Sequence, residues 1–253
     1  QAGDALGVLA KAFASQRSVE ATLVQCRSNG GTSVTILVQI VPGSGVRSRV
    51  IQPFVYAGIV SVDDGESWRN YDPHENLLRV EKSPVLFERP IEERLRLIKA
   101  NFVLTLERQE LVAGRETNVV ALKSAHVGSY DRRLWIDKET SLILQYEIKK
   151  EEARIVPIIK TKSVVMGKVR DAISLDESVV ENARVQKSWG PVEVKDGREA
   201  SEHVGFHPAF PKKFPAGLER QAIHVIGHGQ SKFIAVRLTD GMATVAVYLW
   251  KPG

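Results

Sequence analysis

Residues 132–149 read RRLWIDKETSLILQYEIK and contain two runs of alternating apolar and polar residues. In the second run two sets of side chains point in opposite directions. The mainly apolar set is Leu142, Leu144, Tyr146 and Ile148, and the polar set is Gln145, Glu147 and Lys149. Because successive side chains of a strand point to opposite faces, this pattern predicts a strand with one buried face. The polar segment 137–141 predicts a turn, so the stretch indicates an antiparallel hairpin beside a core.

Outward from this hairpin the chain continues with strand patterns, interrupted by two helical ones. Strands are predicted at residues 21–27, 34–40, 46–51, 56–62, 66–71, 77–82, 102–107, 117–123, 132–136, 142–148, 155–169, 233–238 and 242–250. Apolar residues at helical spacing predict helices at 4–17 and 90–101. Pro90 suits a first helical position, and we expect this second helix to lie across one face of a sheet. The pattern predicts a mostly β, α+β fold with a large antiparallel sheet and a small β-rich C-terminal module.

Composition and charge exclude several classes of protein. The chain has 253 residues, of which 43% are hydrophobic and 26% are charged, as in ordinary globular proteins. Its net charge is +5, spread along the chain, which argues against a nucleic-acid partner. No apolar run is long enough for a transmembrane helix. Because the chain begins with Gln1 and not with Met, we expect a signal peptide or another leader to have been removed.

Motifs for metal binding or catalysis are missing. The pairs His203/His207 and His224/His228 have a four-residue spacing, but neither segment has a helical pattern, and we interpret them as surface or turn histidines. The sequence contains no HExxH, G-x-S-x-G, P-loop or G-x-G-x-x-G motif. The only cysteine, Cys26, cannot form an internal disulfide and is predicted to be buried. We therefore predict no catalytic residue, no metal and no cofactor.

The predicted domains are residues 1–175, a connector at 176–204 and a small β-rich domain at 205–253. A hydrophobic cavity between the large sheet and the second helix is one interpretation of its apolar residues, and an ordinary core is the other. The candidate lining residues are aromatic or large and aliphatic: Phe54, Tyr56, Trp68, Tyr71, Leu95, Ile98 and Phe102.

Several short motifs carry a family resemblance. They are VAGR at residues 112–115, LWIDKET at 134–140 after Tyr130, FPAGL at 214–218 and TDGMATVAVY at 239–248. With this order of elements the chain resembles the MucB/RseB family, within the wider superfamily of LolA/LolB lipoprotein carriers. The two C-terminal motifs favour MucB/RseB over the single-domain carriers. Leu218 departs from the family pattern, which has an aromatic residue there.

The resemblance implies a fold and an activity. The fold is a half-open antiparallel β-barrel with helices as a lid, followed by a smaller β-rich domain. The activity is that of a non-enzymatic periplasmic or extracytoplasmic regulator, which binds the extracytoplasmic domain of an anti-sigma factor and controls the envelope stress response. A lipid or lipoprotein ligand in the cavity would release the complex. A lipid or lipoprotein carrier is the alternative, and an esterase using Ser44, Asp63, Asp64 or His228 is a third hypothesis.

Overall fold

The structure is a computed structural model that describes residues 2–29, 31–150, 154–167, 169, 173–175, 181–188, 190–211, 213–215, 217–227 and 232–251. Its helices are α1 (Ala2–Ser15), α2 (Ile91–Asn101) and α3 (Gly197–Val204). Its strands are β1 (Ala21–Asn29), β2 (Thr32–Val41), β3 (Gly45–Gln52), β4 (Val60–Asp63), β5 (Ser67–Asp72), β6 (Leu77–Lys82), β7 (Phe102–Leu106), β8 (Glu110–Val112), β9 (Arg115–Ser124), β10 (Asp131–Asp137), β11 (Ile143–Lys149), β12 (Ile155–Met166), β13 (Arg184–Lys187), β14 (Val192–Val194), β15 (Glu219–Ile226), β16 (Phe233–Thr239) and β17 (Thr244–Leu249). The predicted mostly β fold class is confirmed.

The chain forms two compact units. The first comprises Gln1–Glu88, Val103–Ser124 and Tyr130–Ser188. Its sheet has the strand order β13-β6-β5-β4-β3-β2-β1-β12-β11-β10-β9-β7, with β8 paired to β9. Among the described residues the end strands β13 and β7 do not pair, so the sheet is not closed into a barrel.

The main core of the first unit covers one face of this sheet. On β1 and β2 the inward positions alternate, and the registered pairs Ala21–Ile40 and Leu23–Val38 are buried. Trp135 on β10 belongs to the same core cluster. Burying such side chains is worth about 2 kcal/mol each, which explains why the period-two pattern decides the fold. The opposite face carries a second cluster, where Val62 and Leu78 pack with Leu175.

The second unit comprises Arg89–Phe102, Ala125–Ser129 and Trp189–Gly253. Its sheet has the order β14-β15-β16-β17. One face forms a core with Ala200 of α3; its buried strand residues include Ile223, Ile234 and Val236. Asp196 caps α3 by accepting hydrogen bonds from the amides of Arg198 and Glu199, as an N-cap aspartate does.

Helix α2 belongs to this second unit. The Asn101 side-chain amide donates to the carbonyls of Gly217, at 3.0 Å, and Asp240, at 3.2 Å. Gly241 has a φ of +94° and lies directly against the backbone of Arg94 and the side chain of Ile98. The helix therefore packs on the FPAGL and TDG segments, which are distant in sequence.

The strands of the structure differ from the predicted ones in several places. Residues 54–56 form a 3-10 turn, and the strand predicted from 56 begins at Val60 instead. Strand β15 was missed, because its apolar alternation is short. The proposed connector contributes β13, which pairs in parallel with β6, and β14, which pairs with β15. Of that connector, residues 176–180 and Trp189 lie outside the described residues.

Candidate functional site

The two predicted cavity residues on β5, Trp68 and Tyr71, lie on opposite faces of the sheet. Trp68 pairs with Asp63, which in turn pairs with Val46 on the face of the main core. Tyr71 packs against the second cluster around Val62. Residues three apart in a strand must point apart, so these two side chains do not line one pocket.

Phe54 and Tyr56 lie in the 3-10 turn between β3 and β4 and face solvent. The exposed fraction is 86% for Phe54, 64% for Val55 and 41% for Tyr56. Phe54 borders an open groove of about 500 Å³ with Ser33 and Thr35 of β2. These residues form a protruding apolar loop, and their predicted role as cavity lining remains a prediction.

The other three candidates, Leu95, Ile98 and Phe102, belong to the second unit. Ile98 is fully buried against Gly241, Phe102 is buried where β7 begins, and Leu95 is partly buried. Each of them has a packing role within the described structure. No ligand contact tests them, so the cavity role of these residues also stays a prediction.

The first unit does contain a cavity, of about 410 Å³, in a different place. It is lined by residues of β9 to β12 and the end of β7: Glu107, Ala121, Leu122, Lys123, Asp131, Arg132, Arg133, Glu147, Lys149 and Ile155. Arg133 forms an ion pair with Glu107 at 2.6 Å, and its guanidinium lies 5.6 Å from the ring centroid of Trp135. The walls therefore offer both charges beside apolar surface, which suits an amphiphilic or zwitterionic group.

Sequence reasoning missed this cavity although a signal was present. Gln145, Glu147 and Lys149 were assigned to the polar side of β11, and polar sides of strands usually face water. The register pairs Glu147 with Arg133 and Lys149 with Asp131, so charges of opposite sign are brought together across strands.

The Trp135 indole N–H donates to Glu110 at 2.8 Å, and this bond is the main cause of a lowered pKa of Glu110.

The histidine pairs do not form a metal site in the part of the chain that the structure describes. His224 is fully buried on β15, so its assignment to the surface or a turn was wrong. His203 lies on α3, which was not expected to be helical, and His207 follows it with Nδ1 3.3 Å from the Ser201 hydroxyl. His228 lies outside the described residues. Helices long and apolar enough to cross a membrane were not found among the described residues.

An exposed apolar edge marks the second unit. Strand β17 is the last of its sheet and contains no charged residue and no proline. Three large side chains within this strand or directly after it are exposed to solvent. The exposed fraction is 44% for Val245, 52% for Tyr248 and 68% for Trp250. Natural sheets usually protect such an edge with charges, prolines or bulges, because an open edge can pair with another strand. The edge is thus suited to receive an extended segment of another protein.

The fold defines a mostly β protein with one large open sheet and a smaller second sheet. The sequence model described as MucB/RseB N-terminal domain matches residues 59–189, more than half of the chain. The chain belongs to the MucB/RseB family. Curated protein sequences yield no match.

Solved structures agree on the fold. A complex of Pseudomonas aeruginosa MucA and MucB is similar with a TM-score of 0.61 and 15% identity, covering 97% of this chain and 79% of that one. A structure of MucB gives a TM-score of 0.61 at 14% identity, with the same coverage. The similarity extends over both units of this chain.

Proposed function

We propose that this protein is a non-enzymatic extracytoplasmic regulator that binds the extracytoplasmic domain of an anti-sigma factor and thereby controls release of an envelope-stress sigma factor. Membership of the MucB/RseB family carries the proposal. The solved complex of MucB with MucA, which shares the fold, supports a protein partner. Extracytoplasmic location and the absence of catalysis are part of the proposal.

The partner would add a strand to the edge of β17. Its main chain would supply the hydrogen bonds, as in other strand-addition complexes. Tyr248 would contact partner side chains on one face of the sheet, and Val245 would contact those on the opposite face. The ring of Phe233 packs edge to face against the ring of Tyr248, with the two centroids 5.8 Å apart. Aromatic residues held in place by packing cost little entropy on binding and often dominate interface energies.

A lipid-bearing ligand would regulate the complex by linkage. A ligand releases the partner only if it binds the free protein more tightly than the complex, and a few kcal/mol are enough for a change of about a hundredfold. The cavity of about 410 Å³ in the first unit is the candidate site for the ligand's polar group. The same cavity supports a second candidate function, a lipid or lipoprotein carrier, whose test is native mass spectrometry of protein purified from its own cell envelope.

The regulator proposal is tested with the extracytoplasmic segment of an anti-sigma factor from the same genome. Calorimetry measures its affinity, and protease digestion measures its protection. Val245→Lys places a charge on the edge of β17, and we expect it to weaken binding about tenfold or more. Val103→Lys is the matched control, since Val103 is exposed at 62% on β7, an edge strand of the large sheet. Failure of the wild type to bind or protect the segment would contradict the proposal.

A further inference from the structure

Four neighbouring strands of the large sheet, in the order β3-β2-β1-β12, contain no aspartate and no glutamate. They carry several basic residues, among them Arg47 and Arg49 on β3 and Lys160 and Lys162 on β12. In a chain with 30 acidic residues, an acid-free group of strands is unusual. These segments are far apart in the chain, so only the sheet brings them together.

The basic side chains lie on the face opposite the main core. On β3 the core positions are Val46 and Val50, which leaves Arg47 and Arg49 on the other face. Arg49 is exposed, whereas Arg47 is half-buried beside Val62 of the second cluster and its Nε is buried. Lys160 pairs with Cys26 of β1. Leu23 and Gln25 of β1 are buried, so Cys26, the residue after Gln25, and its partner Lys160 point to the other face.

Lys162 occupies the extra position of the irregularity in β12 and contacts the Cys26 thiol. Ion pairs among the described residues use none of these four cations.

Between the two basic strands the same face is uncharged. It carries Val24 on β1, Thr35 and Leu37 on β2 and Val165 on β12, whose side chain is 58% exposed. The face thus combines positive charge at two borders with hydroxyl and aliphatic groups in the middle. Glu147 on the neighbouring strand β11 lies near one border, because Gln145 pairs with Lys160 and donates to Glu147 at 2.8 Å. Basic residues still outnumber this carboxylate, and a surface of net positive charge attracts anions.

The protruding apolar loop stands at the end of this face. Gln52, the last residue of β3, pairs with Thr35 on β2, and the loop of Phe54 to Tyr56 follows it. The groove beside the loop is lined by Thr35, Ser33 and Gln52 together with Phe54. Exposed aromatic side chains therefore adjoin hydroxyl and amide groups on the acid-free face.

We propose that the β3-β2-β1-β12 face and the loop of residues 53–57 bind the surface of an anionic phospholipid bilayer. Arg49, Lys160 and Lys162 are exposed and would contact the phosphate groups. Phe54, Val55 and Tyr56 would enter the interface between head groups and acyl chains. Charge complementarity selects this occupant, because a lipid surface presents anions over the whole width of four strands. The loop protrudes with Phe54 almost fully exposed, which suits insertion into an interface better than docking into a protein groove.

Vesicle flotation tests the proposal on the full chain, with phosphatidylcholine vesicles and with vesicles that also contain phosphatidylglycerol. We expect binding to the anionic vesicles alone, weakened by high salt. Each basic residue near an anionic surface is worth about a fivefold change in partitioning, so replacing the three exposed residues Arg49, Lys160 and Lys162 with Gln should reduce it about a hundredfold. The double variant F54S/Y56S should reduce it at least about tenfold.

Matched variants separate this face from net charge and from general stickiness. The first control replaces three exposed basic residues elsewhere with Gln: Lys187, Arg198 and Lys213. The second, Y248S/W250S, removes exposed aromatic residues of the second unit. Both should float with anionic vesicles as the wild type does, and circular dichroism checks that every variant is folded.

The proposal is overturned if wild-type protein does not bind anionic vesicles, or if the control for charge loses as much binding as the triple variant of the face. Loss of anti-sigma-factor binding in the face variants, without any vesicle binding by the wild type, would assign the face to a protein partner instead. Because vesicle binding and partner binding are measured separately, failure of this proposal leaves the proposed function standing.

Discussion

Arg115 and Asp137 join two hairpins of the large sheet through a two-point ion pair. The Arg115 Nε lies 2.6 Å from Oδ2 of Asp137, and Nη2 lies 3.0 Å from Oδ1. The Asp137 side chain is almost fully buried and also accepts hydrogen bonds from the amide and the hydroxyl of Thr140. Two motifs of the family, VAGR and LWIDKET, are therefore parts of one structural unit.

Asp137→Asn should destabilise the first unit by about 3 kcal/mol, because removing one charge leaves Arg115 without its buried partner. Urea unfolding measures this loss. The control is Glu139→Gln, which removes the other, exposed carboxylate on Arg115 at 2.7 Å and should cost less than about 1 kcal/mol. Equal losses in both variants would contradict a special role for Asp137.

The pH dependence of Asp137 has a defined sign. Burial acts to raise its pKa, but the bonds from Arg115 and Thr140 outweigh burial and hold the pKa below the ordinary 3.8. The stabilisation is thus present above pH 4 and is lost as the pH falls through the lowered value. The acid-induced loss of stability should be smaller in the Asp137→Asn variant.

Gly241→Ala should destabilise the second unit. An added Cβ would lie 2.8 Å from the Arg94 carbonyl oxygen and 2.8 Å from the Ile98 side chain, and the residue has positive φ. Gly205→Ala is the matched control, because Gly205 also has positive φ but open space around it. We expect a loss of about 1 kcal/mol for the control from backbone strain and at least about 2 kcal/mol more for Gly241→Ala. Equal losses in thermal unfolding would show that the contact with α2 is unimportant.

His224 should make the second unit less stable in acid. Burial is the main cause of its lowered pKa, the charge of Arg237 adds to it, and Glu193 opposes it. The folded unit therefore favours neutral His224, and stability falls as the pH drops below about 6.5, where the unfolded histidine takes up a proton. Thermal unfolding at pH 7 and pH 5 should show a smaller difference in His224→Gln than in wild type. His207→Gln, at an exposed position, should behave as wild type.

The Cys26 thiol should react faster with iodoacetamide than an ordinary cysteine of similar exposure. The hydroxyl of Thr35, with the oxygen 3.5 Å from the sulfur, is the main cause of its lowered pKa, and Lys162 and Lys160 add to it. A lower pKa increases the thiolate fraction at neutral pH. Thr35→Val should move the midpoint of the alkylation rate to higher pH, and Lys138→Gln, at a distant exposed lysine, should leave it unchanged.

Sequence reasoning succeeded where the determinants are local. The hairpin of β10 and β11 follows from alternation and from turn residues within one short segment, and β6 begins and ends at the predicted residues Leu77 and Lys82. It did not locate the cavity of about 410 Å³ in the first unit, because a list of apolar residues contains no information on which faces meet. The opposite directions of Trp68 and Tyr71 could have been predicted from their spacing alone, once both were placed on one strand.

The sequence by itself determined the fold class, most of the strands, both long helices and the family, since period, turn chemistry and short motifs are encoded within a few residues of one another. Only the tertiary structure decided that α2 packs with the second unit through Asn101 and Gly241, and that opposite charges on β10 and β11 line a cavity. It also assembled the acid-free face from β3, β2, β1 and β12. These features depend on pairing and packing between residues distant in the chain, which are selected by the free energy of the whole fold and not by any local pattern.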